Sequence, residues 1–166
     1  MQITSYVPHQ KFEALGDRYC KRTGLPLILI DREGQEVYKL NECGLCLRIV
    51  KEEKNSVERN CHLSMLRAVE ESFRWGEGYI TTCPLGLIIF AVPIIYKQKL
   101  LGGLISGFAI FPEMEKDIDE EIANKLGKDY DSSLSRLKRG KLNLKIISLK
   151  NTRAYLSFLL SLTRRY

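Results

Sequence analysis

The 166-residue sequence holds no apolar run long enough to cross a bilayer as a helix. Its two longest, "LGLIIFAVPIIY" and "LLGGLISGFAIF", fall well short of the ~20 residues a span requires, and "KQK" separates them. The start, "MQITSYVPHQKFEALGDRYC", lacks the basic-then-apolar order of a secretory signal. A cytoplasmic location is therefore expected. There the five cysteines, an odd number, are expected to be reduced thiols and not a disulfide framework. Low-complexity segments and internal repeats are also missing. Histidine is scarce: His9 and His62 are the only two. Neither is placed for a Cys-His or Ser-His pair, and no acid–base set can be assembled, so no enzyme is expected. "LGGLISG" lies between strand residues and not before a helix, so it does not match a phosphate loop. Close backbone packing, or a pocket floor, is its expected use.

Acidic residues are absent from the last 35 positions. Ser132–Tyr166 carries nine Lys or Arg, leaving 17 of the 26 basic side chains and all 20 acidic ones in the other 131 residues. The net charge of +6 thus resides in the tail, behind the acidic stretch "EMEKDIDEEIANKLGKDYD". A nucleic-acid footprint on Arg136, Lys138, Arg139, Lys141 and Lys145 lacks a helix-turn-helix signature and interleaved aromatics. The plainer reading is a solvated helix that pairs with its acidic neighbour.

What is present organises into one α+β domain over residues 1–166. A helix runs from Pro8 to the stop at Gly24, with Phe12, Leu15, Tyr19 and Cys20 at helical spacing. "LPLILIDREGQEVYKL" reads as a hairpin turning at Glu33-Gly34. "LCLRIVKEE" suits a short helix. A longer one, capped at Asn55 or Ser56, carries Val57, Cys61, Met65, Val69 and Phe73 every four residues. "YITTC" and the two long apolar runs are β-rich, the last two as an antiparallel hairpin. "EKDIDEEIANKLG", "DSSLSRLKRG" and "LKNTRAYLSFLLSLTRRY" are expected helices. Strands in hairpins predict a central antiparallel sheet of about five strands with flanking helices, the general shape of PAS and GAF modules.

The cysteines admit three readings. Zinc sites of four cysteines use two close pairs, and only Cys43 and Cys46 form one; Cys61 and Cys83 stand alone. Iron–sulfur clusters accept looser spacing. Core packing suits Cys61 and Cys20, which lie on apolar helix stripes. Thiols lining a ligand pocket are the third reading, because they are small, soft and weakly polar. Cys46, Cys61 and Cys83 are expected to converge, with Cys43 the most exposed of the four. His62, off the stripe, is expected to be exposed.

Cys46 followed by "LRIV", Cys61 in its helix, "GYITTCPLGL" and "FAVPIIYKQKLLGGLISG" together resemble the PocR sensory domain. Cys46, Cys61 and Cys83 match that family's three cysteines. Gly86 with Leu87, Pro93 with Ile94, and Gly102 with Gly107 match its later motifs. The resemblance covers about residues 8–166. Pro84 stands where the family has His, Phe108 where Gln is common, and Cys43 is additional. The resemblance implies a non-catalytic sensor of small molecules such as diols in prokaryotic signalling or transcription regulation. It implies coupling to a histidine kinase or DNA-binding module. Cys46, Cys61, Cys83, Arg48, Phe90, Ser106 and Phe108 are the expected ligand-binding positions. The alternative is a metal, iron–sulfur or thiol redox sensor on Cys43, Cys46, Cys61 and Cys83.

Output is expected through the final helix. Leu149, Leu156 and Thr163 fall at heptad spacing, with Thr152, Leu159 and Tyr166 between them. That pattern suits a parallel dimer or a partner helix; the plain alternative is a helix that caps its own domain.

Overall fold

The structure, a computed structural model, describes residues 2–43, 46, 56–126 and 144–164, without the side chains of 56–59, 123 and 126. The expected short helices in "LCLRIVKEE" and "DSSLSRLKRG" lie outside these residues, as do Arg48, Arg136, Lys138, Arg139, Lys141 and Tyr166.

Helix α1 (Ile3–Tyr6) leads into α2 (His9–Thr23). Helix α2 stops at Gly24, whose left-handed backbone (φ 68°) lets its N–H reach the Cys20 carbonyl at 2.7 Å. Strands β1 (Leu27–Asp31) and β2 (Glu36–Leu40) form the expected hairpin. Its turn is tied by Asp31 Oδ1, which accepts from the N–H groups of Glu33 and Gln35 at 3.0 and 2.9 Å. Helix α3 (Ser56–Trp75) crosses to β3 (Tyr79–Thr82), followed by β4 (Ile88–Tyr96) and β5 (Lys99–Ile110). The last two are joined through Lys97 and Gln98, both at positive φ, as a two-residue hairpin loop requires.

The sheet order is β2-β1-β5-β4-β3, antiparallel throughout. A short strand β6 (Lys145–Ile146), not legible in the sequence, pairs parallel with the end of β5. Helix α4 (Ile118–Leu126) and helix α5 (Leu149–Thr163) complete the chain.

Two apolar layers flank the sheet. On one face Phe12, Leu15 and Tyr19 of α2 and Leu159 and Leu162 of α5 pack with Phe90, Val92 and Leu104. On the other, Met65, Ala68 and Val69 of α3 and Ile118 and Ile122 of α4 pack with Ile89, Ala91 and Ile105. Gly103 lets α3 approach: a Cβ there would lie 2.4 Å from Val69 Cγ2. The stripe on α3 is narrower than a four-residue repeat implies. Each such step turns about 40° around a helix. The buried set is therefore Met65, Ala68, Val69 and Ser72, while Phe73 has rotated out to 37% exposure.

Helix α5 caps its own domain. Thr152, Leu159 and Leu162 are buried, so one column of the heptad seam faces the protein's own sheet. Leu149, at 48% exposure, stays outside. Among the described residues no helix is long and apolar enough to cross a membrane.

Candidate ligand pocket

A cavity of about 160 Å³ opens on the α3 side of the sheet. Ile28 of β1 and Phe108 of β5 line it from the sheet, and Cys61 and Met65 from α3. Cys83 and Leu85, in the turn between β3 and β4, and Cys46 add further wall. Leu40 and the residues just after it, Asn41 to Cys43, carry the wall to the rim. Cys46, Cys61 and Cys83 therefore line the same cavity, together with Cys43.

The turn that places Cys83 is tightly held. Its N–H donates to the Leu87 carbonyl, and its own carbonyl accepts from Gly86 N–H, both at 2.8 Å. Burial is the main force that pushes the Cys83 thiol above its ordinary value, against donation from the backbone N–H groups of Leu85 and Leu87. The Cys46 thiol is pushed up further, first by its hydrogen bond to Cys43, then by burial, then by the charges that Cys43, Cys83 and Cys61 would carry. The arrangement holds both thiols protonated at neutral pH, which suppresses nucleophilic reactivity. Among the described residues no three His, Cys, Asp or Glu side chains are arranged to hold a metal ion.

Phe108 reaches the cavity through a break in β5. Ile88 pairs with Ala109 and Ile89 with Gly107, so Phe108 has no residue opposite. Gly107 and Phe108 both have positive φ, 103° and 54°. For a bulky side chain such as Phe108 that conformation costs roughly 1–3 kcal/mol. The bulge inverts the strand's alternation. Leu104 and Ala109 face the α2 layer, whereas Ile105, Phe108 and Ile110 face α3.

Two expected ligand-binding residues are consequently elsewhere. Ser106 and Phe90, cross-strand partners, are fully buried on the opposite side of the sheet. Phe90 packs with the α2 and α5 core. Ser106 donates its hydroxyl to the Pro26 carbonyl at 2.6 Å and accepts from the Tyr19 hydroxyl at 2.8 Å. In a regular strand Ser106 and Phe108 would share a face; the bulge separates them.

The rim is polar, and no motif in the sequence marks it. Lys39 sits 2.5 Å from Glu42 and 3.8 Å from Glu36, and its amine is held above the ordinary value chiefly by the Glu42 hydrogen bond. His62, expected to be exposed, is half-buried at the rim, 4.0 Å from Glu36. Of the four thiols, Cys43, Cys46 and Cys61 are half-buried and Cys83 is buried. Met65 was legible, since it lies one helical turn from Cys61 on the same stripe. The rim was not, because it depends on how the β1–β2 hairpin docks against α3.

The sequence matches the family described as the sensory domain found in PocR over residues 6–166. The chain belongs to the PocR sensory domain family. No curated protein matches it. Among solved structures it is similar to the GAF domain/HD domain protein from Geobacter sulfurreducens, at 11% identity, over 76% of this chain and 91% of that one, with a TM-score of 0.38.

In this PocR domain the two departures from the family pattern differ in consequence. Phe108 is part of the cavity wall. Pro84 lines a separate open groove between α3 and β3, with Cys83 as the residue common to both. The family glycines serve the backbone. Gly102 and Gly107 sit where a Cβ would press on the carbonyls of Ile30 and Ile88, at 2.1 and 2.6 Å.

Proposed function

We propose that this PocR domain is a non-catalytic sensor in prokaryotic signal transduction or transcription regulation, and that its ligand is a small organic molecule held in the cavity. The cavity carries the reading: an apolar wall with three family cysteines on it and a polar rim at its mouth. Concave, mostly apolar space with few polar groups is the usual form of a small-molecule site. Cys46, Cys61, Cys83 and Phe108 are its wall contacts, and Arg48 remains a candidate. A mass spectrum of the natively purified protein tests the reading directly. A bound small molecule, lost on denaturation and absent from a variant with the cavity filled, supports it. Protein that is empty and gains no stability from any small organic compound in a broad thermal-shift panel overturns it.

One observation favours a second reading, a thiol redox or metal sensor. Cys43, Cys46, Cys61 and Cys83 all line the same cavity. Metal analysis of protein purified without oxygen, with alkylation mapping before and after peroxide, separates the two.

Output would pass to a kinase or DNA-binding module, or to a second copy, through α5, because a ligand only shifts a balance between states that the output can read. The exposed Leu149 is the residue available for such pairing.

A further inference from the structure

We propose that the cavity takes a neutral, one-ring aromatic molecule of about toluene size. This rests on reading the cavity as the sensor's ligand site, and it names the ligand class.

Size sets the first limit. Pockets for drug-sized ligands run to roughly 300–1,000 Å³. A cavity of about 160 Å³ is close to the ~150 Å³ at which an apolar protein cavity accepts benzene. One ring matches that volume, and two fused rings exceed it.

Wall chemistry sets the second. Away from the rim the described lining side chains present carbon and sulfur: Ile28, Met65, Leu85 and Phe108 with the thiols of Cys61 and Cys83. Among the described residues no buried side-chain nitrogen or oxygen lacks a hydrogen-bond partner. Away from the rim the described side chains offer a polyol's hydroxyls only weak thiol partners in exchange for water, which disfavours them. An aromatic ring loses nothing there. Sulfur at a ring edge is a favourable contact, and Phe108 offers an edge-to-face partner.

Charge sets the third. At the rim Lys39 is within 4.0 Å of Glu36 and Glu42, and His62 reaches Glu36. Among the described rim residues the Lys39 amine already faces two carboxylates, so it offers an anionic ligand little uncompensated charge. Among the described lining residues the only carboxylates are Glu36 and Glu42, and both already face Lys39, so a cation is not favoured either. A single small polar substituent is tolerated only where it points to the rim.

Phe108 fixes the length of the space. Its bulged, positive-φ backbone turns the ring into the cavity instead of the opposite layer. Truncating it should extend the cavity by about one ring.

The test titrates toluene, 1,2-propanediol and naphthalene into the intact protein, read by calorimetry and thermal shift. Wild type should bind toluene at one site and neither of the others. Phe108→Trp should weaken toluene at least tenfold, and Phe108→Ala should gain naphthalene. If the alanine variant does not fold by circular dichroism, Phe108→Leu with indane replaces that arm. Propanediol binding without toluene binding overturns the aromatic class and leaves the sensor reading intact. Toluene binding that Phe108→Trp does not weaken puts the ring elsewhere and also overturns the proposal. If neither binds the folded protein, the ring proposal falls, and the co-purified ligand decides the sensor reading separately.

Discussion

The Tyr19 hydroxyl donates to Ser106 Oγ at 2.8 Å across the interface between α2 and the sheet, and the Ser106 hydroxyl in turn donates to the Pro26 carbonyl at 2.6 Å. Both side chains are fully buried. Ser106→Ala removes the acceptor and leaves a phenol buried without its partner. It should cost about 1–3 kcal/mol, whereas Tyr19→Phe should cost about 0.5–1.5 kcal/mol because Ser106 keeps Pro26. Urea unfolding of the two variants and the double variant should show non-additive losses. Additive losses would mean that the two hydroxyls act independently.

Gly103 is where α3 meets the sheet. Gly103→Ala should destabilise by about 1–3 kcal/mol, because the new methyl overlaps the Val69 side chain. Val69→Ala in the same chain should recover part of that loss, although Val69→Ala alone is destabilising. The check is the midpoint of denaturant unfolding for each variant. Equal losses with and without Val69 would place the strain against the neighbouring Val92 carbonyl instead.

The thiols make stability fall in alkali. The folded-state values of Cys46 and Cys83 are raised, so below the unfolded thiol value of about 8.5 both states are protonated and the contribution is complete. Above it the unfolded chain releases protons first, and stability drops as pH rises toward the folded values. Unfolding free energy should therefore be lower at pH 9.5 than at pH 7.5. Cys83→Ala should lessen the slope even if it lowers stability overall. A slope unchanged by that substitution would show that Cys83 is not the group responsible.

On α5 the two faces should respond oppositely. Leu159 is fully buried, so Leu159→Asp places an unpaired carboxylate in the core and should cost more than about 3 kcal/mol, enough to unfold a marginal domain. Leu149→Asp, at an exposed position, should stay within about 0.5 kcal/mol. Sedimentation then tests output. If wild type self-associates, Leu149→Asp should weaken association while the circular dichroism spectrum is unchanged. A wild type that stays monomeric at high concentration leaves only a different partner for this helix.

Local signals in the chain were enough for most of the architecture. Gly24 stops α2 because an αL residue closes the helix there, and Glu33-Gly34 marks the turn of the first hairpin; both effects act within a few residues. The stripe carrying Met65 and Val69 and the apolar runs of β4 and β5 marked the buried faces for the same reason. The choice of Cys46, Cys61 and Cys83 rested on side-chain type and family pattern, and those do meet at one cavity. Which face each strand residue occupies was decided only in three dimensions. A single unpaired residue at Phe108 reverses the alternation of β5, sending Phe108 to the cavity while Ser106 and its cross-strand neighbour Phe90 stay in the other layer. Periodicity cannot reveal that reversal, because a bulge costs one residue of phase and changes no residue type. The charged rim of Glu36, Lys39, Glu42 and His62 likewise exists only once the first hairpin packs beside α3, a long-range docking set by the fit of two layers and not by any local sequence rule.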